Sequence, residues 1–182
     1  MKLNSFDNSW YQPGSLIKRG LWYSTNFIFF NTYWFPFVNV KVLLLKLFGA
    51  KIGKHVIIKP KVNIKYPWNI SVGDNVWIGE GVWLDSLGEI SIGQNVCISQ
   101  GAYLLTGNHN YRKNSFDLII ENILIKDGVW IGAKSIVCPG VTCNESAVLS
   151  VGSVATKDLE PLTIYQGNPA KIIRKRIYEN ES

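Results

Sequence analysis

The sequence predicts an all-β fold, a parallel β-helix, on three observations. Aliphatic residues recur every six positions from Ile52 to Leu149. Small residues (Val, Ala or Ser) recur at the fifth position of the same hexads. The hexads also fall into groups of three that begin at positions 52, 72 and 92. A repeat of this kind decides the architecture before any local propensity is weighed.

The hexads define the middle of the chain. "IGKHVI" begins at Ile52, "VGDNVW" at Val72, "IGQNVC" at Ile92 and "IKDGVW" at Ile125. Of fourteen such units, thirteen open on Ile, Leu or Val, and Cys143 alone departs. The fifth-position exceptions, Trp68, Gly88 and Asn108, each lie in the third hexad of a group, so the period is twenty: three hexads plus two residues at one corner. Three short strands per coil make a triangular section with the aliphatic residues inside. Successive coils stack as parallel strands about 4.8 Å apart, each burying its inner face against its neighbours. Residues 51–156 are read as this β-helix.

Residues 1–50 precede the repeat. The stretch "LWYSTNFIFFNTYWFPFVNV", residues 21–40, has no charge and the length of a membrane span. Its Ser, Thr and Asn content and Pro36 favour a broken helix or hairpin that caps the open end of the β-helix. Lys18, Arg19, Lys41 and Lys46 flank the aromatic residues, which leaves a peripheral membrane contact through residues 21–48 as a further option. After the repeat, residues 157–182 form an extension. "GNPAKIIRKRIYEN" reads there as a helix, with Asn168 as N-cap and Pro169 in the first turn.

Composition narrows the function. The net charge of +6, from 19 basic and 13 acidic residues, suits anionic ligands or a membrane surface. Nucleic acid is not expected as a partner, because no basic cluster sits on a reading helix. Cys97, Cys138 and Cys143 make no metal-ligand spacing and serve as small apolar residues inside the repeat. No metal is expected. A reduced, cytoplasmic setting follows, with association at the inner membrane face as an option, and "MKLNSFDNSWYQPG" lacks the apolar core of a signal peptide.

The repeat breaks at "LLTGNHNYRKNSFDLIIEN", an extended loop of about residues 106–122 that carries His109. A prism with flat sides has no cleft, so a site needs a seam between prisms. A loop that leaves one corner can place a titratable residue in such a seam. His109 is the candidate general base, since the unperturbed imidazole pKa near 6.5 suits proton removal at neutral pH.

The chain resembles the hexapeptide-repeat acyltransferases, most closely the colanic-acid-type O-acetyltransferases of exopolysaccharide synthesis. The matching segments are "IKYPWNISVGDNVWIGEGVWLD", "IGQNVCISQGAYLLTGNHNY", "IKDGVWIGAKSIVCPGV", "VGSVATKDLEP" and "GNPAKIIRKR". The resemblance implies a left-handed β-helix, a homotrimer with sites at its seams, and acetyl-CoA as acyl donor. It implies that His109 is the base for acetyl transfer to a sugar hydroxyl. It also implies CoA contacts near Trp130, Gly132 and Ala133, near Gly152, Ser153, Thr156 and Lys157, and at Lys171 and Arg174 of the terminal extension. Asp85, Asn108 and Tyr111 are the acceptor candidates. Where the family commonly shows "GSHDY", this chain has Asn108 and Asn110, so no carboxylate adjoins His109. N-acetylation of an amino sugar and a non-enzymatic β-helix assembly protein are the alternatives. A zinc hydrolyase on this fold would need three histidines, and the chain has two.

Overall fold

A computed structural model describes residues 1–179. Its centre is a parallel β-solenoid of five full coils. The first coil holds β1 (Lys51–Ile52), β2 (Ile57–Ile58) and β3 (Asn63–Ile64). The second holds β4 (Ile70–Val72), β5 (Trp77–Ile78) and β6 (Trp83–Asp85). The third holds β7 (Ile90–Ile92), β8 (Cys97–Ile98) and β9 (Tyr103–Leu105). A hairpin of β10 (Gly107–His109) and β11 (Leu118–Ile120) then leaves the corner. The fourth coil holds β12 (Ile123–Ile125), β13 (Trp130–Ile131) and β14 (Ile136–Val137); the fifth holds β15 (Thr142–Cys143), β16 (Val148–Leu149) and β17 (Val154–Ala155). Two longer strands follow, β18 (Thr163–Gly167) and β19 (Ala170–Lys175).

The ladders confirm the register expected from the hexads. Trp77 pairs with Cys97, Cys97 with Trp130, and Trp130 with Val148. Their amides donate one coil onward, Trp77 N to Val96 O at 2.9 Å and Trp130 N to Ala147 O at 3.0 Å. The inward aliphatic residues form one continuous core, with Ile58, Ile78, Ile98 and Ile131 all essentially buried. Truncating one such residue to Ala costs about 2–5 kcal/mol.

The corners explain residues that the hexads alone do not. His55, Asn75 and Asn95 occupy the same corner of successive coils with φ of 55°, 57° and 56°, a left-handed conformation that asparagine tolerates well. His55 is therefore a turn residue. The twenty-residue period holds for the first three coils. From the fourth coil on, Leu124 pairs with Thr142, eighteen residues away, because the two extra corner residues are absent.

The N-terminal segment is a broken helix. α1 (Leu16–Thr25) starts at the Ser15 cap, whose hydroxyl accepts from Lys18 N, and runs into a wider π-type turn over Asn26–Phe30. After Pro36, α2 (Val38–Leu47) lies against the first coil. Trp22 Nε1 donates to Ile64 O at 2.8 Å, and Asn26 bridges to both Asn63 and Ile64, so the open sheet end is covered. Lys41 is fully buried in this cap beside Phe30; its Nζ reaches Lys59 O at 3.4 Å, and burial pulls its pKa down.

The expected C-terminal helix is not formed. Residues 170–175 are β19, which pairs antiparallel with β18, and β18 in turn adds to β16. The exposed edge of β16 is a template for main-chain pairing that β18 takes, and "AKIIRK" with two β-branched residues pairs in turn with β18. Residues 180–182 of the expected extension lie outside the described residues.

Candidate active site

The β10–β11 hairpin places His109. Gly107 faces Ile120, Asn108 faces Ile119 and His109 faces Leu118. The hairpin is anchored at its base, where Glu121 N donates to Thr106 O at 2.9 Å and the buried Thr106 hydroxyl donates to Asp85 O at 2.7 Å. The imidazole is half-buried. Its Nδ1 lies 2.9 Å from the carbonyl oxygen of Phe116, and its ring stacks on the Phe116 ring at 4.3 Å with an interplanar angle of 3°. A carbonyl only accepts, so Nδ1 carries the hydrogen in the neutral ring and Nε2 keeps its lone pair. The orienting partner that a carboxylate could supply is a backbone carbonyl here. Asn110 is occupied in the turn, accepting from Arg112 N.

Two partners were invisible in the sequence. Phe116 holds φ of 53°, a strained value for a bulky residue, and so turns its carbonyl toward the histidine. Phe6 packs on the His109 ring with centroids 5.6 Å apart, and Lys2 N donates to Asn114 O, so the extreme N-terminus runs over the hairpin. No local pattern links Phe6 to a histidine about a hundred positions away.

Asp85 ends β6 beneath the hairpin and is nearly buried. Its Oδ2 accepts from the Tyr103 hydroxyl at 3.4 Å. Its Oδ1 receives no hydrogen bond, though Lys65 Nζ stands 3.4 Å away as an ion pair. Burial, then the nearby Asp85 charge, push the Tyr103 pKa up to about 12. Trp83 stacks on Tyr103 at 4.7 Å, and a cavity of about 550 Å³ beside them is lined by Trp83, Lys65, Tyr66, Tyr23 and Arg19. Asn108 is exposed with its side chain on His109 N, and Tyr111 is exposed at the hairpin tip.

The expected CoA residues divide into two groups. Trp130, Gly132, Ala133 and Arg174 line one groove of about 600 Å³ together with Arg176. Within it, Gly132 is explained by stacking: a Cβ there would stand 2.6 Å from Leu149 O, and its amide already donates to that oxygen. Ser153 is buried, with its hydroxyl accepting from Gly167 N, and Gly152 N donates to Ala133 O. Thr156, Lys157 and Lys171 are exposed outside this groove.

The molecule is a short-stranded parallel solenoid whose corner hairpin presents an oriented histidine. No family model matches the chain. It is 40% identical over 169 residues to the colanic acid biosynthesis acetyltransferase WcaF of Escherichia coli K12, a match covering 92% of each chain. It is 32% identical over 142 residues to the galactoside O-acetyltransferase of the same organism, covering 76% of this chain and 70% of that one. A galactoside acetyltransferase structure in complex with coenzyme A superposes with a TM-score of 0.78 at 26% identity, covering 87% of this chain and 80% of that one. The hexapeptide-repeat acetyltransferase VCA0836 of Vibrio cholerae, complexed with acetyl-CoA, shares the fold with a TM-score of 0.79 at 23% identity, covering 89% and 88% of the two chains. The chain belongs to the hexapeptide-repeat acetyltransferase family.

Proposed function

We propose that the protein acetylates a hydroxyl of a sugar in exopolysaccharide or capsule synthesis, with His109 as general base. The observation that carries this reading is the Nδ1 contact to Phe116 O, which holds the ring in one orientation and, in the neutral ring, leaves the lone pair on Nε2. Nε2 takes the proton of the acceptor hydroxyl as its oxygen attacks the thioester carbonyl. A tetrahedral oxyanion forms. It collapses with cleavage of the C–S bond, and the imidazolium returns its proton to the leaving CoA thiolate. Asp85, whose Oδ1 is paired with Lys65, holds a neighbouring hydroxyl of the sugar together with that lysine, and Trp83 offers a ring face for stacking. The groove of Trp130, Ala133 and Arg174 takes the CoA arm.

The assembly we propose is a homotrimer, with each hairpin reaching a neighbouring prism. Trp77, Trp83 and Trp130 stand 58%, 41% and 48% exposed on otherwise flat walls, and packing prisms would cover them. Light scattering that gives a monomer at micromolar concentration rules this assembly out. The acceptor is tested by incubating acetyl-CoA with a panel of neutral and amino sugars and following thiol release. Turnover confined to hydroxyl sugars supports the reading. Turnover only with amino sugars replaces it with N-acetylation, and no turnover with any sugar removes it.

A further inference from the structure

We infer that the outer face of the N-terminal cap docks onto an anionic membrane surface. The cap has two sides. Trp22, Asn26, Phe30, Lys41 and Leu45 are buried against the first coil. The other side is apolar and open. Among the described residues, twelve of the twenty-six exposed large apolar side chains lie in residues 16–47, about a sixth of the chain. Ile17, Phe27, Trp34, Phe37, Leu43 and Leu47 are the most telling. In α2, Leu43 and Leu47 are spaced four apart on one face and are 56% and 72% exposed.

Charge selects the occupant. Residues 8–73 contain nine Lys and Arg and no Asp or Glu, while the other 116 residues carry ten basic and thirteen acidic side chains. The positive charge is therefore gathered at the capped end. Of the nine, only Lys65 forms an ion pair among the described residues. Lys46 in α2 and Lys51 and Lys54 in the first coil, on which α2 packs, are exposed. A second copy meeting this end would bring like charge to like charge, which opposes self-association. An anionic lipid surface satisfies both the lysines and the aromatic side chains, whose place is the headgroup boundary. α1 and α2 have ten residues each, and no helix among the described residues is long and apolar enough to cross a bilayer. The segment thus lies on the membrane.

The test uses the full chain with vesicles of phosphatidylcholine, alone or mixed with phosphatidylglycerol. Sedimentation with the mixed vesicles, weak binding to the neutral ones and release by salt are the expected results. Leu43→Ser with Leu47→Ser should lower partitioning about tenfold or more, since two exposed leucines lose their burial in lipid. Lys46→Gln and Lys51→Gln should each lower it about fivefold. Acetyl-CoA turnover with a soluble acceptor should be unchanged in all of them. Should a variant misfold, brominated acyl chains give a readout on the unaltered protein and should quench its tryptophan emission through Trp34. Failure to sediment with anionic vesicles, equal binding to both vesicle types, or absence of quenching overturns the inference. A Leu43→Ser, Leu47→Ser protein that merely breaks up a larger assembly in solution overturns it as well.

Discussion

His109 Nδ1 and the carbonyl oxygen of Phe116 lie 2.9 Å apart while the two rings stack in parallel at 4.3 Å. One residue thus supplies both the hydrogen-bond acceptor and the flat surface that hold the imidazole. Replacement of the ring removes the proposed base without opening the core, because the hairpin is tied at Thr106 and Glu121 instead. His109→Ala is expected to fold, bind acetyl-CoA and lose about 10²–10⁴-fold in turnover. Steady-state kinetics with a calorimetric check of donor binding decides it, and near-normal turnover excludes His109 from the chemistry.

Asp85 is expected to act on the acceptor alone. Its Oδ1 is buried with Lys65 Nζ 3.4 Å away as an ion pair, and Oδ2 already engages Tyr103. Asp85→Asn keeps the shape and removes the charge. The KM for the acceptor should rise about 10–100-fold, the loss typical of a charged hydrogen bond. The KM for acetyl-CoA should stay constant. A parallel rise in both constants would assign Asp85 to the scaffold.

Lys41 offers a stability test with a defined pH dependence. Burial lowers its pKa below the ordinary value of 10.5. Between the lowered value and 10.5 the unfolded chain binds more protons than the native one, so stability rises with pH across that window. Lys41→Met fills the same space without charge. Its melting temperature should exceed that of the parent by about 2–4 °C at neutral pH, for a gain of about 1 kcal/mol. The difference should shrink as pH approaches 10.5. A destabilised Lys41→Met protein would mean that the Lys59 contact outweighs burial.

Deletion of residues 1–48 should cause aggregation. The cap packs on β1 and β2, which carry the buried Ile52 and Ile58, and it satisfies the carbonyl of Ile64 through Trp22. Without it the first coil presents a bare parallel edge. Dynamic light scattering of the purified truncation reads the outcome, and a soluble, active product would refute the capping role.

Much of the scaffold was legible because the hexad pattern is a packing rule written in residues. The column Trp77, Cys97, Trp130 was expected across the loop and is present in the ladder. The terminal strand departs from the expected helix because Asn168 and Pro169 are local helix-start signals, whereas β19 forms on β18, whose pairing of Ile164 with Val148 depends on a distant sheet edge. His109 could be singled out from its loop. Phe6 and Phe116 could not, since their contacts arise from the path of the chain around the hairpin.

The ladder crosses the hairpin without a fault. Ile90 pairs with Ile123 as directly as Ile70 pairs with Ile90, although 33 residues separate the first pair and 20 the second. The excursion therefore adds length to the chain but none to the axis. Mutation can lengthen, shorten or rewrite residues 107–120 while the coils above and below keep their partners. Such a molecule can change what its hairpin meets without renegotiating its own folding.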